Sequence, residues 1–238
     1  MANAFPWPLQ YRYSTRRKTL AIEVREGRVL VRAPQGYPRV LLDRAISARV
    51  DWITSKVQAQ SARIATRPRY RYTCGEVLPY LGGKLTLKVV AGVKLGACRE
   101  GAALHITTSA RSRKPVEIQV YEQVTGWYRE QAQTLLSQKT QQLSAKLGKN
   151  CRSVKVRATR SKWGHCTRTG DIQYNWQILL APESVVDYLV AHEVSHLRHQ
   201  HHGAAFWRQV ASLYPGYDVH QRWLREHGHT LSLPQPES

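Results

Sequence analysis

Apolar and polar positions alternate at the front of the chain. Leu20, Ile22 and Val24 share one face, Glu26-Gly27 marks a turn, and Val29, Val31 and Ala33 share a face again. Residues 18–33 are therefore predicted to form a β-hairpin, ended by Pro34 and Pro38. From 40 to 62 the spacing turns helical, through Leu41, Leu42, Ala45, Ile46, Val50, Ile53 and Val57. A second hairpin is predicted around Gly82-Gly83, with Leu78 and Tyr80 before it and Leu85, Leu87 and Val89 after it. Leu104 and Ile106 suggest one more short strand.

Residues 116–147 read as a long helix, with Val120, Val124, Trp127, Tyr128, Leu136 and Leu147 among its apolar positions and Gly148 as its stop. Strands are predicted over 153–159 and 171–181. Pro182 suits the first position of a helix carrying Val185, Val186, Leu189, Val190, Val194 and Leu197. Two shorter helices, over 204–213 and 218–227, flank Pro215-Gly216. The order of elements is that of an α+β fold: a strand-rich N-terminal region over 1–114, then a second domain over 115–238, with a soft boundary at Ser112-Arg113-Lys114-Pro115.

Composition narrows the class. The chain has 238 residues, 42% hydrophobic, enough to bury a core without covalent staples, which excludes a disordered tail and a disulfide miniprotein. No apolar run approaches the ~20 residues needed to span a bilayer. The first residues lack the basic and apolar regions of a secretory signal. Cys74, Cys98, Cys151 and Cys166 form no CxxC pair. A reduced, cytoplasmic protein without membrane contact is expected.

Charge divides the chain. The net charge is +20; residues 1–150 hold 26 Lys/Arg and 9 Asp/Glu (26 − 9 = +17), and 151–238 hold 10 and 7 (10 − 7 = +3). Of the ten histidines only His105 lies before residue 151. A basic front precedes a histidine-rich back.

That back contains His192-Glu193-Val194-Ser195-His196, an HExxH motif in a predicted helix. Positions i and i+4 lie one above the other on a helix, so two imidazoles can hold one metal from a single face. Glu193, about 100° round the helix, can reach a metal-bound water and take its proton as the water attacks a carbonyl. HExxH also recurs by chance on solvated helices. The amphipathic helix, the further histidines and the strand predicted just before it, of a type that could hold an extended substrate, favour the metal.

A hydrolytic zinc needs a third protein ligand and an open position. His202, at the HExxHxxxxxH spacing, is favoured; His201 or a more distant residue is the alternative. His199 is expected still on the helix, and with His201 reads as a solvated side chain at its end. Position 199 is not glycine, so the chain turn is expected from Gln200–Gly203. In the segment Arg160-Ser-Lys-Trp-Gly-His-Cys166, Trp163-Gly164 could line a substrate cleft. His165 and Cys166 could be zinc ligands, but Cys166 reads better as a small core-lining thiol.

These residues, with Tyr174-Asn-Trp, Leu180-Ala-Pro, Asp187 through His199, His202 and Phe206-Trp207, resemble the YgjP-like metallopeptidases, relatives of the SprT and WLM zincins. Arg16-Arg17-Lys18-Thr19-Leu20 and Gly75-Glu76 through Tyr80-Leu81-Gly82 extend the resemblance over residues 11–227. It implies a small zincin-like catalytic domain at the C-terminal end, with His192, His196 and His202 as Zn²⁺ ligands and Glu193 as general base. The family usually has Gly-Ser-Cys where this chain has Gly164-His165-Cys166.

The expected function is zinc-dependent hydrolysis of polypeptides, with Trp163, Tyr174 and Trp176 lining the substrate cleft. Tyr174, Tyr217, His220 and Arg222 are candidate donors to a tetrahedral intermediate. One alternative keeps the metal but hydrolyses a nucleoside triphosphate to release pyrophosphate, although no P-loop or magnesium-type carboxylate cluster is present. Another is a nucleic-acid-binding module with a structural zinc. The basic front, with aromatic residues among arginines at Tyr11-Arg-Tyr13 and Arg67-Pro-Arg-Tyr-Arg-Tyr72, suits contacts to nucleic acid or to proteins bound on it, or else is simply a solvated basic surface.

Overall fold

The structure, a computed structural model, describes residues 5–159 and 161–236. Two compact units divide the chain at Arg67/Pro68. In the first, β1 (Leu9–Ser14), β2 (Ala21–Arg25) and β3 (Arg28–Pro34) form a sheet in the order β1-β3-β2. The predicted hairpin is β2–β3, pairing Ile22 with Val31 and Val24 with Val29. Its turn residues Glu26 and Gly27 both have positive φ, 50° and 71°, the geometry that follows the right-handed twist of paired strands. β1, which the sequence reading passed over, runs parallel to β3.

The helix expected over 40–62 is two helices, α1 (Arg39–Ser47) and α2 (Val50–Ala65). Neither Pro nor Gly marks the break at Ala48-Arg49; packing sets it, since Leu42, Ile46 and Ile53 are all buried with Trp7, Val29, Val31 and Ala33. The Gln60 side chain accepts from Gly27 N (3.1 Å) and donates to Val24 O (2.9 Å), tying α2 to the hairpin turn.

The second unit holds two sheets. β4 (Val77–Tyr80), β5 (Gly83–Gly92), β6 (Gly96–Glu100) and β7 (Ala103–Ser109) are ordered β4-β5-β7-β6. α3 (Val116–Leu147) has the predicted bounds and ends at Gly148 in the left-handed conformation, φ 65°, where glycine carries no Cβ penalty. Leu78, Leu85, Leu87, Leu104 and Ile106 of the sheet share one core with Val120, Val124 and Tyr128 of α3. That shared core is why the compact units meet at 67/68, whereas 112–115 is a loop inside the second unit.

β8 (Ser153–Arg157), β9 (Gly164–Cys166) and β10 (Asp171–Asn175) form the other sheet, in the order β8-β10-β9. The strand expected over 171–181 stops at Asn175, and Trp176–Leu180 is a 3-10 turn. The Asn175 side chain accepts from Gln177 N at 3.1 Å and caps that turn, while Trp176, Ile178, Leu179 and Leu180 are all buried, so no strand-like alternation is left. α4 (Glu183–Ser195), α5 (Ala204–Leu213) and α6 (Tyr217–His227) follow, with Pro182 one residue before α4 as its cap. The fold is mixed α+β, strand-rich in front and helical behind. Among the described residues no helix is long and apolar enough to cross a membrane.

Candidate metal centre

α4 is buried over most of its surface, which fixes the orientation of the motif it carries. Val185, Val186, Leu189, Val190 and Val194 lie in the core, and Ser195 Oγ donates back to Ala191 O at 2.7 Å. The helix ends earlier than expected: Ser195 is its last residue and His196 its C-cap, so His199 lies beyond it. The turn begins at His196 and is held by Gln200 Nε2 donating to His196 O (2.6 Å). It returns the chain at Gly203 into α5.

This turn brings His202 over the helix. The ligand atoms of His192, His196 and His202 lie within 4.8 Å of one another, the only such metal-ligating group among the described residues. His192 Nε2 and His202 Nε2 are 3.2 Å apart. Two nitrogens at zinc–imidazole distance and a tetrahedral angle are separated by about 3.3 Å, so the spacing suits one zinc ion. The Phe206 ring, fully buried, forms the floor, 5.0, 4.5 and 4.8 Å from the rings of His192, His196 and His202.

His196 Nδ1 donates to His199 O at 2.9 Å, leaving its Nε2 free to ligate, a common support for metal-binding imidazoles. Burial, then the charges of His196 and His202, push His192 down to about 3; burial also lowers His196. Neutral imidazoles are the form a metal requires.

Glu193 is 3% exposed, with Oε2 buried and without a hydrogen-bond partner. Burial pushes its carboxyl up to about 8, and Lys162 pulls it partly back. A nearby cation would favour its ionised form. An unpaired buried carboxylate oxygen beside three imidazoles fits a divalent cation and the water it carries.

Gly164 of β9 packs against Glu193: a Cβ there would lie 2.6 Å from Glu193 Cγ and closer still to Oε1. β9 is the outer strand of its sheet and β10 the central one, so the strand edge beside the carboxylate belongs to β9 rather than to 171–181.

The cleft residues need correction. Tyr174 is 0% exposed and Trp176 2%. Tyr174 OH bonds Thr140 Oγ1 at 2.9 Å, and Trp176 packs between Tyr128 and the Arg129 guanidinium. Both side chains are core, so neither can touch substrate, and Tyr174 is lost as a donor to a tetrahedral intermediate. Trp163 is half-buried, and its indole Nε1 would be 3.1 Å from a Cβ at Gly228. Tyr217 stacks on Trp207 (5.3 Å, 13° between planes), and Trp207 in turn on His202 (5.8 Å, 26°). His220 packs against Tyr214, and Arg222 is exposed. Cys166 is buried as expected and, with exposed His165, belongs to no metal-ligating group among the described residues. Arg160 lies outside the described residues.

Two features escaped the sequence reading. Phe206 was visible only as part of a Phe-Trp pair, not as a floor. Gly164 was visible as a possible cleft residue, but nothing in the chain shows that it meets Glu193, 29 residues on.

The family description "YgjP-like, metallopeptidase domain" matches residues 18–227. Among solved structures, the crystal structure of the metallopeptidase zymogen of Pyrococcus abyssi abylysin is similar at 21% identity, over 38% of this chain and 93% of that one, with a TM-score of 0.35. No curated protein matches.

Proposed function

The chain belongs to the YgjP-like metallopeptidase family, and from that premise we propose that it is a zinc-dependent peptidase in which His192, His196 and His202 hold the metal and Glu193 is the general base. The observation that carries this reading is the convergence of three imidazoles beside a buried carboxylate with one unpaired oxygen.

When bound, zinc supplies Lewis acidity that polarises a carbonyl and acidifies water. Glu193 Oε2 takes the proton of the attacking water as its oxygen bonds to the scissile carbon. Glu193 then passes that proton to the departing amide nitrogen as the C–N bond breaks, one carboxyl serving as base and then acid. Gly164 leaves room for the carboxylate. The exposed edge of β9 offers backbone groups to an extended peptide, the way strands are commonly added to a sheet. Tyr217, in line with Trp207 and His202, is the best placed of the candidate donors to the tetrahedral intermediate.

The donor set argues against nucleotide hydrolysis at this site, because three imidazoles suit zinc whereas magnesium is held by oxygen ligands. The test is a mass-spectrometric assay of zinc-loaded protein with a pool of unstructured peptides and nucleoside triphosphates, beside Glu193→Gln. Peptide products seen with wild type alone support the reading. Nucleotide products with intact peptides overturn it.

A further inference from the structure

The first unit carries a cleft that the metal centre does not use. It has a volume of about 460 Å³ and is lined by Arg12, Tyr13, Ser14, Arg16, Arg17 and Arg32. We infer that this cleft is a phosphate-binding site for the backbone of single-stranded nucleic acid.

The sheet itself creates the charge density. Arg12 of β1 and Arg32 of β3 are register partners in a parallel pair, so both side chains leave the same face of the sheet. Like charges directly opposite one another destabilise a sheet. Arg16 and Arg17 follow in the turn after β1, where Arg17 N bonds Ser14 O and Arg17 Nε donates to Thr19 O at 3.0 Å. Four guanidinium groups from three chain segments thus face one opening.

Neutralisation from within the protein is slight. Arg32 Nε lies 3.4 Å from Glu23 Oε1 but makes no hydrogen bond, and Glu23 is shared with Arg25 at 2.9 Å. Among the described residues no carboxylate pairs with Arg12, Arg16 or Arg17. Residues 1–67 hold 13 Lys/Arg and 4 Asp/Glu, 13 − 4 = +9, so no wider acidic surface offsets the cluster. An anion between the guanidinium groups relieves their repulsion, and the planar fork of arginine matches phosphate oxygens two at a time.

The number of groups points to a chain of phosphates rather than to an isolated one, since four guanidinium groups with five N–H donors each exceed what a single phosphate can engage. Tyr13, next to Arg12 in β1, sends its side chain to the opposite face, that of its register partner Ala33, so its ring is not among the guanidinium groups. Ser14 adds a hydroxyl that can donate to a phosphate or a sugar. A positively charged groove that tracks the backbone is how sequence-tolerant single-strand sites hold their phosphates. This inference stands apart from the peptidase reading, since none of its residues lies in the metal centre.

The test is fluorescence anisotropy of the full-length protein with a labelled oligothymidine of about 16 nucleotides, between about 50 and 200 mM salt. Arg12→Ala/Arg16→Ala/Arg17→Ala should weaken binding by about tenfold or more and lower the salt slope by about 2, near 0.7 for each lost phosphate contact. Tyr13→Ala, on the opposite face of the sheet, should bind as wild type. The charge-matched control Lys84→Ala/Lys88→Ala/Lys94→Ala, on exposed lysines of the second unit, should bind as wild type. All four proteins are compared by circular dichroism first, and Arg12→Lys/Arg16→Lys/Arg17→Lys, which keeps the charge, should recover most of the affinity and salt slope. Equal weakening by the lysine control, or none by the arginine variant, would overturn the assignment. Displacement of the oligonucleotide by tripolyphosphate at equal phosphate concentration would replace it with a free-phosphate site. Binding only to acidic lipid vesicles would also overturn it.

Discussion

Gly164 and Glu193 are in contact in a way that admits no side chain at position 164: the missing Cβ would lie 2.6 Å from Glu193 Cγ and overlap its Oε1. An outer strand of one sheet thereby sets the position of a carboxylate on the helix that carries the histidines. Gly164→Ala must displace that carboxylate or push β9 away from α4. Overpacking of this kind costs about 1–3 kcal/mol. Peptide hydrolysis should fall about 100-fold, the lower end of what a positioned general base contributes, while bound zinc, measured by elemental analysis, stays near wild type.

Glu193→Gln keeps the shape of the side chain and removes its basicity. Hydrolysis should drop by about 10²–10⁴ with zinc content unchanged. Full activity in this variant would remove Glu193 from the chemistry, whatever the metal does.

His202 is exposed, unlike its two companions, and reaches the cluster only through the turn after α4. His202→Ala should therefore cut zinc stoichiometry sharply yet leave the metal-free protein within about 0.5 kcal/mol of wild type, as for an ordinary surface substitution. Unchanged zinc content would send the third ligand elsewhere.

Tyr174 serves the core. Tyr174→Phe removes its bond to Thr140 and should lower stability by about 1 kcal/mol in denaturant melts. KM for a peptide should not move. A raised KM with unaltered stability would return Tyr174 to the substrate cleft.

Asp171 accepts hydrogen bonds from Ser153 Oγ (2.6 Å) and Thr169 Oγ1 (2.8 Å), and these, the Ser153 bond foremost, hold its carboxyl below the usual value of 3.8. A depressed folded-state pKa stabilises the protein above the unfolded value and is lost as the pH falls through the folded one. Asp171→Asn should accordingly melt below wild type at pH 7, and the two melting temperatures should converge as the pH is lowered below about 4. A gap that stays constant through that range would mean the carboxylate's charge is immaterial.

Much of this could be read from local pattern. The hairpins around Gly27 and Gly82, the helix over 116–147 and the HExxH helix all announce themselves, because apolar periodicity and turn residues act within a few positions of one another. Nonlocal pairing hid β1, whose partner is β3 rather than a neighbour in sequence, and a capping side chain at Asn175 ended a run that reads equally well as strand.

Local spacing alone names the residues that can do chemistry: the interval between His192 and His196 puts both imidazoles on one helix face because a helix repeats every 3.6 residues. What surrounds them was set by contacts between distant segments. The early end of α4 brought His202 over, α5 laid Phe206 beneath the cluster, and β9 placed Gly164 against Glu193. Burial likewise took Tyr174 and Trp176 away from the substrate and gave them to the core. Helical spacing is a property of neighbouring residues and is written in the chain; contacts between distant segments depend on how several buried faces fill one volume, which no single segment encodes.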